Sequence, residues 1–248
     1  MSNISVYHNN ALTAGTTTSS GVATGSSVSY LADNRLSFKY VTAGGTDTVQ
    51  LDQAANNIII FTDLAIIDHN LVGERITITS YPTSSRSTPT VEVNSQAIGS
   101  ADPFILNLGT LSQYQFIDID LTITGSVNTA NVGELGLYTK FTSPISPAVG
   151  IRTNEIPRST FVLLPNGERQ TIKRGGVVRQ KIYTIGGLSI SQANEWIDVF
   201  TNNAGAQMVI LDDERGDQYP CMMNQTMTIN DTIKILAVNL DFTEVKLS

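Results

Sequence analysis

The sequence is poor in the residue types from which catalytic and metal sites are most often built. Of its 248 residues, one is cysteine and two are histidine. A single cysteine, Cys221, excludes an intrachain disulfide and a four-cysteine zinc site, and its apolar neighbours predict a buried thiol. The two histidines, His8 and His69, are too far apart in the sequence to match a metal-ligand spacing. We therefore expect neither a metal site nor a cofactor.

Motifs that carry catalysis are also missing. There is no Gly-x-Ser-x-Gly nucleophile elbow before a predicted helix, no phosphate-binding loop, and no Gly-x-Gly-x-x-Gly motif after a predicted strand. Asp68 precedes His69, but neighbouring residues of a strand point to opposite faces, so a catalytic pair there would need a turn. The sequence predicts a protein that is not an enzyme.

Charge is scarce and mostly negative. Charged residues make up 15% of the chain, and 15 Lys and Arg against 22 Asp and Glu give a net charge of −7. This balance argues against nucleic-acid binding through bulk positive charge. An apolar content of 41% is enough to form a core, which excludes a disordered acidic tail.

Long hydrophobic runs are absent as well. The longest candidate, Ile58–Phe61, is followed at once by Thr62 and Asp63, so no segment approaches the roughly 18 residues of a membrane span. The first residues lack the basic and apolar regions of a signal peptide. We expect a protein that folds in a cytoplasm and has no membrane partner.

One segment has low complexity. Residues 13–29 consist almost entirely of Thr, Ser, Gly, Ala and Val. Small polar residues bury too little area to offset the loss of chain entropy on ordering. The segment is predicted to be a mobile loop, or an arm that becomes ordered only against a neighbouring molecule.

Residues 1–146 have the pattern of a β-sandwich. In Phe116–Thr124, Ile117, Ile119, Leu121 and Ile123 alternate with Asp and Thr, and Arg75–Thr79 repeats the same period of two. Many short strands separated by turn residues are typical of a sandwich or jelly roll. The fold class predicted for the whole chain is therefore mainly β.

A proline- and glycine-containing linker at 142–150 separates a different second domain, residues 151–248. An Asn-Gly pair at 166–167 predicts a hairpin. Ser189 with Gln192 predicts a capping box for one helix, with Ser191 as the alternative cap. The helix would present Ala193, Trp196, Ile197 and Phe200 as an apolar stripe, with Trp196 anchoring it to a sheet. One helix on an antiparallel sheet gives an α+β, split-barrel-like domain.

Two charged groups stand out in this second domain. The acidic run Asp212, Asp213, Glu214 and Asp217 is predicted to be a solvated hairpin tip, with a Ca²⁺ site as the alternative. A local excess of positive charge is formed by Arg169, Lys173, Arg174, Arg179 and Lys181. In an acidic chain this stretch is a candidate contact for an acidic face of a neighbouring subunit, with plain surface and DNA contact as alternatives.

Four short motifs carry a resemblance to a known group of proteins. They are Asp33-Asn34-Arg35, Ile66-Ile67-Asp68-His69-Asn70-Leu71, Arg75-Ile76-Thr77-Ile78 and Gly133-Glu134-Leu135-Gly136-Leu137-Tyr138. Together they resemble structural proteins of tailed bacteriophages with a discoidin-like (galactose-binding-like) jelly roll, although Val132-Gly133-Glu134-Leu135 departs from the usual Ile-Gly-Arg strand. In that pattern a His-Asn-Leu turn follows a central strand. We expect Asn70 to take an unusual φ, His69 to hydrogen-bond locally and Leu71 to fill the core.

The resemblance extends to residues 155–248, which are similar to subunits that stack as rings in phage tails and baseplates. It implies a virion protein, assembled in the host cytoplasm: a minor tail or distal-tail/baseplate adaptor protein that forms a homo-oligomeric ring and contacts other virion proteins. Two alternatives stand beside it. The jelly roll could bind a host-surface glycan, which would require aromatic side chains and bidentate polar groups in a cleft, or the protein could decorate a capsid.

Overall fold

The structure is a computed structural model, and its chain is mainly β, with a β-sandwich followed by an α+β region, as predicted. It describes residues 3–33, 36, 38–42, 45–124, 130–147, 151–163, 169–203, 208–224, 228–232 and 235–245, with side chains except at 157–163, 169–177, 228–232 and 235. No helix in these ranges is long and apolar enough to span a membrane.

The described residues form sixteen strands and two α-helices. Those of the first part are β1 (Ser5–His8), α1 (Ala11–Ala14), β2 (Thr16–Ser19), a 3₁₀ helix (Val28–Ala32), β3 (Tyr40–Val41), β4 (Thr46–Asp52), β5 (Asp63–His69), β6 (Arg75–Tyr81), β7 (Thr90–Ala97), β8 (Phe104–Asn107), β9 (Phe116–Thr122) and β10 (Asn131–Thr142). Those of the second part are β11 (Arg152–Leu163), β12 (Arg169–Leu188), α2 (Ile190–Asn203), β13 (Met208–Asp212), β14 (Gln218–Met223), β15 (Thr228–Thr232) and β16 (Ile235–Glu244).

The chain divides into two compact units. The N-terminal unit is Tyr7–Phe141, and the C-terminal unit combines Met1–Val6 with Thr142–Ser248. The division falls at the start of the predicted linker, but the grouping of the first six residues with the C-terminal unit was not foreseen. Those residues are attached there by the Ser143 N–H, which donates to the Ile4 carbonyl at 2.9 Å, and by a 2.9 Å hydrogen bond between the hydroxyls of Ser5 and Thr142.

The N-terminal unit contains two antiparallel sheets around one core. One sheet has the order β2-β4-β9-β6-β7. In the other sheet, β10 lies between β3 and β5 and pairs with both, and β8 pairs with the far edge of β5. Ile117, Ile119 and Leu121 of β9 are fully buried, which confirms the predicted alternation. Because the inward residues of both sheets belong to one hydrophobic cluster, burial of this shared core stabilises the unit.

The Ser/Thr/Gly-rich segment is not the free arm that the sequence predicted. Residues Thr16–Ser19 form β2 and pair with β4 over Val49–Asp52, and Val22 bridges to Thr42. The hydroxyls of Ser19 and Ser20 donate to Oδ1 of Asp47 at 2.9 and 3.2 Å, and the Tyr40 hydroxyl donates to its Oδ2. The carboxylate of Asp47 is fully buried and needs hydrogen-bond donors, and Ser19 and Ser20 supply them. These hydrogen bonds hold the small polar residues in place.

Asp47 is therefore predicted to fix this segment. We expect Asp47→Ala to lower the free energy of unfolding by about 1–3 kcal/mol, because the buried Tyr40 hydroxyl loses its acceptor. Limited digestion with a broad-specificity protease should leave residues 13–29 intact in the wild type and cut them in the variant. Cleavage of the wild type there, at the rate of the variant, would restore the mobile-arm interpretation.

The C-terminal unit is an antiparallel sheet with one long helix against it. The strand order is β11-β12-β16-β14-β13, and β15 also pairs with β16. Strands β11 and β12 form the predicted hairpin; its Asn-Gly turn lies outside the described residues. The single cysteine, Cys221, is fully buried as expected.

The capping box of α2 is confirmed in both directions. The Gln192 N–H donates to Ser189 Oγ at 3.2 Å, and the Ser189 N–H donates to Gln192 Oε1 at 2.9 Å. The helix contacts β12 and β16, and Trp196 is fully buried on its inner face. The buried stripe is Ala193, Trp196, Val199 and Asn203, whereas Ile197 and Phe200 are half-buried.

Candidate functional site

The outer face of the five-stranded sheet carries the most distinctive grouping of side chains in the N-terminal unit. Because Ile117 and Ile119 face the core, their neighbours Phe116 and Asp118 face outward. Pairing between strands places Phe116 opposite Tyr81 on one side and Asp52 on the other. Two aromatic rings on adjacent strands thus lie next to a carboxylate, and all three side chains are partly accessible.

Arg86 completes this grouping from the loop between β6 and β7. Its Nε lies 2.6 Å from Asp118 Oδ1, and one terminal guanidinium nitrogen lies 2.6 Å from Asp52 Oδ1. The guanidinium carbon is 5.9 Å from the centre of the Tyr81 ring, within cation–π range. We call these five residues, Asp52, Tyr81, Arg86, Phe116 and Asp118, the Arg86 face.

The ion pairs of the Arg86 face are partly withdrawn from water. The side chains of Arg86 and Asp118 are 17% and 10% exposed, and that of Asp52 is 43% exposed. Partial burial acts to lower the pKa of Arg86, but the hydrogen bonds that Arg86 donates to both carboxylates outweigh it and raise the pKa. Partial burial, the negative charge of Asp118 and a hydrogen bond with it raise the pKa of Tyr81, so its phenol stays protonated at neutral pH. The face therefore offers a fixed cation, carboxylate oxygens and a neutral phenol.

Further polar groups continue along the same side of the sheet. The Gln50 amide donates to Asp118 Oδ2 at 3.4 Å, and the Thr48 hydroxyl donates to Asp120 Oδ1 at 2.6 Å. Thr79 lies opposite Asp118 on β6. Hydroxyl, amide and carboxylate groups beside two aromatic rings are suited to a ligand with many hydroxyl groups and apolar C–H surfaces.

The sequence patterns alone do not reveal this site. Tyr81 and Arg86 are distant in the chain from Phe116, and only the pairing of β6 with β9 brings them together. One signal was present: the alternation predicted for β9 assigns Phe116, Asp118 and Asp120 to a single face. It did not reveal which strands lie on either side.

The turn predicted at His69-Asn70-Leu71 lies later in the chain: His69 is the last residue of β5, and the turn is at Val72–Gly73, where the Glu74 N–H donates to the Leu71 carbonyl at 3.0 Å. The Leu71 N–H donates to His69 Nδ1 at 3.1 Å, His69 Nε2 donates to the Ala101 carbonyl at 3.3 Å, and Leu71 is fully buried. Asn70 Oδ1 accepts from the Asn131 N–H at 2.8 Å. The expectation about the backbone was wrong, because the residue with positive φ is Asp68, at 52°, and not Asn70.

Both nitrogens of His69 are thus used in hydrogen bonds to the backbone. The other histidine, His8, is buried, and its burial lowers its pKa to about 4 despite a hydrogen bond with Asn9, so it is neutral at pH 7. Among the described residues, no three His, Cys, Asp or Glu side chains come close enough together to share a metal ion.

The acidic run and the basic stretch of the C-terminal unit meet at Lys181. Its Nζ lies 3.1 Å from Asp213 Oδ2 and 2.9 Å from Glu214 Oε1, and all three side chains are at least nine-tenths buried. The Tyr183 hydroxyl also donates to Glu214, at 2.8 Å. Burial alone would raise the pKa of Glu214, but Lys181 and Tyr183 outweigh it and lower the pKa.

Two expectations are corrected by this Lys181 cluster. Lys181 is not available to a partner molecule, since it neutralises two buried carboxylates of its own unit. Asp213 and Glu214 do not form a solvated hairpin tip, because their side chains are buried. The place between their carboxylates where a Ca²⁺ ion would bind is occupied by the ammonium group of Lys181. Asp213 also accepts from the N–H groups of Arg215 and Asp217, at 2.8 and 3.0 Å, which shapes the turn between β13 and β14.

Of the remaining residues of the basic stretch, Arg179 is the one whose side chain lies within the described residues. Arg179 is exposed and lies over the Tyr219 ring, with 5.9 Å from its guanidinium carbon to the ring centre. With Glu155 and Arg215 it borders a cleft of about 270 Å³. The side chains of Arg169, Lys173 and Arg174 lie outside the described residues.

Lys181 is predicted to be essential for the stability of the C-terminal unit. Lys181→Met should lower the free energy of unfolding by about 3–5 kcal/mol, because two buried carboxylates lose their cation. The matched control is Arg179→Met on the same strand, which removes an exposed cation and should cost less than about 1 kcal/mol. Urea unfolding followed by the fluorescence of Trp196, the single tryptophan, measures both; equal losses would contradict the prediction.

No protein-family model and no curated protein matches this chain. Solved structures similar to it include a pectin-binding carbohydrate-binding module, with 18% identity over 49% of this chain and 88% of that one and a TM-score of 0.41. A second is a family 32 carbohydrate-binding module from C. perfringens NanJ in complex with galactose, with 12% identity, 54% and 98% coverage and a TM-score of 0.43. A third is the CBM32 of AlyQ in complex with 4,5-unsaturated mannuronic acid, with 13% identity, 53% and 96% coverage and a TM-score of 0.42. At these TM-scores and identities, the similarities do not indicate what this chain binds.

Proposed function

We propose that the N-terminal unit binds saccharides through the Arg86 face, without acting on them as an enzyme. The observation that supports this is the adjacency of Tyr81 and Phe116 on the outer side of the sheet, flanked by Arg86 and Asp52. An aromatic ring packs against the apolar C–H face of a sugar, and charged groups beside it exchange hydrogen bonds with the sugar hydroxyls. A glycan on a host cell surface is the ligand class that we expect.

The ion pairs give the face a defined geometry before a ligand arrives. Arg86 holds Asp118 and Asp52 at 2.6 Å each, so neither carboxylate has to be immobilised during binding. A preorganised polar group loses less conformational entropy when it forms a hydrogen bond to a ligand. Asp52 is the more exposed of the two carboxylates and is the one we expect to contact hydroxyl groups directly.

Saccharide binding should depend on the two rings. Tyr81→Ala and Phe116→Ala are each expected to weaken binding at least about tenfold, since each removes stacking worth roughly 0.5–1.5 kcal/mol together with apolar contact area. The full-length protein would be screened on a glycan array, and the affinity of the best ligand would be measured by calorimetry. Phe38→Ala is the matched control, because Phe38 is an aromatic of the same unit with 45% exposure and lies outside the Arg86 face.

Two results would contradict this proposal. One is the absence of any glycan that binds the wild type. The other is a bound glycan whose affinity is lowered by Phe38→Ala but unchanged by Tyr81→Ala and Phe116→Ala, which would place the site elsewhere.

A second proposal is that the protein is a structural subunit of a tailed-phage virion, at the tail or baseplate. The observation that favours a structural subunit is the hairpin of β11 and β12. Strand β12 pairs with β16 only over Gln180–Leu188, whereas it pairs with β11 from Arg169 to Ile182. A two-stranded ribbon is marginally stable by itself, so a hairpin that continues past its sheet is suited to contact with another molecule.

The location in a particle can be measured directly. Gold-labelled antibodies against this chain should mark the tail or baseplate of purified virions in electron micrographs. Labelling of the head would support the capsid-decoration alternative and contradict the tail assignment. The absence of the chain from purified particles, measured by mass spectrometry, would contradict both.

A further inference from the structure

Part of the C-terminal sheet is a two-stranded ribbon, in which β11 and the first residues of β12 have only each other as described strand partners. We define the ribbon as the strand residues 152–163 of β11 and 169–179 of β12. Its pairing runs from Arg152 opposite Ile182 to Leu163 opposite Arg169, with an irregularity between Pro157 and Ser159. The nine residues Glu155–Leu163 correspond to about 30 Å of strand.

Both outer edges of the ribbon carry backbone groups without a strand partner. Within the described strands, β11 pairs with β12 alone, and β12 pairs with β16 only from Gln180 onward. Unpaired N–H and C=O groups along a strand edge are a template for pairing with another chain. The backbone of the ribbon therefore offers an edge for intermolecular β-pairing.

The charge of the ribbon indicates what that other chain is. Residues 152–179 contain six Lys and Arg and two Asp and Glu, a net charge of +4. The rest of the chain contains nine Lys and Arg and twenty Asp and Glu, a net charge of −11. A second copy of this chain thus supplies a surface of opposite sign, which strengthens and orients association.

We propose that the ribbon binds an acidic surface of a second copy of this chain and joins copies into an oligomer. This inference is independent of saccharide binding by the Arg86 face, and it supplies the structural-subunit proposal with a partner. Arg179 is exposed and available for such a contact, whereas Lys181 is committed to Asp213 and Glu214. On β12 the positive charge available to the second copy therefore ends at Arg179, because Lys181 is buried and paired within its own unit.

The test is the mass of the full-length protein in solution, measured by sedimentation equilibrium at about 0.05 M and about 0.5 M NaCl. At low salt the wild type should exceed its monomer mass of 26.7 kDa in a concentration-dependent way, and high salt should weaken the association at least about tenfold. The double variant Lys173→Glu/Arg174→Glu should be monomeric at both salt concentrations. The control is Arg215→Glu, which reverses the charge of an exposed cation of the same unit outside the ribbon. Its association constant should be closer to that of the wild type than to that of the double variant.

A shortened variant separates loss of the ribbon from loss of the fold. Residues 158–176 are replaced by Asn-Gly, which joins the paired residues Pro157 and Val177 in a two-residue turn. This variant should be monomeric, while its Trp196 fluorescence and circular dichroism match those of a folded C-terminal unit. A wild type that remains monomeric at low salt, or a shortened variant that associates as strongly as the wild type, would overturn the inference. Neither result would affect the glycan-array test of the Arg86 face.

Discussion

The two-residue period of the β-strand is the constraint on which the N-terminal unit depends. Every second residue of β4, β6 and β9 enters a common core, and Val49, Ile78 and Ile119 are fully buried there. The alternate residues are then directed to the opposite face. Once apolar burial has fixed the register, Tyr81, Phe116, Asp52 and Asp118 have no position except side by side on the outside. The proposed binding face is a consequence of how the core is packed.

In two places in this protein, one cation lies between two carboxylates and balances their charge. Arg86 bridges Asp52 and Asp118, and Lys181 bridges Asp213 and Glu214. The two clusters differ in exposure: Asp52 is 43% exposed, whereas the Lys181 cluster is shielded from water on all three side chains. A cation held between two acids at a partly open surface can exchange hydrogen bonds with a ligand, and one in a closed interior holds a turn in place. Charge pairing therefore serves the surface of one unit and the interior of the other.

The C-terminal unit leaves part of its longest strand, β12, without a second partner among the described strands. Its strand β12 is long enough to pair with β16 at one end and to extend with β11 at the other. The end of β12 from Gln180 to Leu188 pairs with β16, and α2 packs on these strands with Trp196 fully buried. The other part has only its hairpin partner in the described residues, and it belongs to the stretch 152–179, which has a net charge of +4 in an acidic chain. Strand pairing and charge both single out the ribbon as the segment that we propose contacts a second copy.

The sequence by itself determined the local elements, because their signals lie within a few residues of one another. The alternation of β9, the capping box of Ser189 and Gln192, the pairing of β11 with β12 and the burial of Cys221 were predictable in this way. Only the tertiary structure decided the contacts between distant segments. It placed Tyr81 beside Phe116, set Lys181 between Asp213 and Glu214, and ordered β2 against β4 through Asp47. Strand order and the pairing of buried charges depend on which segments meet after the chain has collapsed, and a period along one strand carries no information about its neighbours.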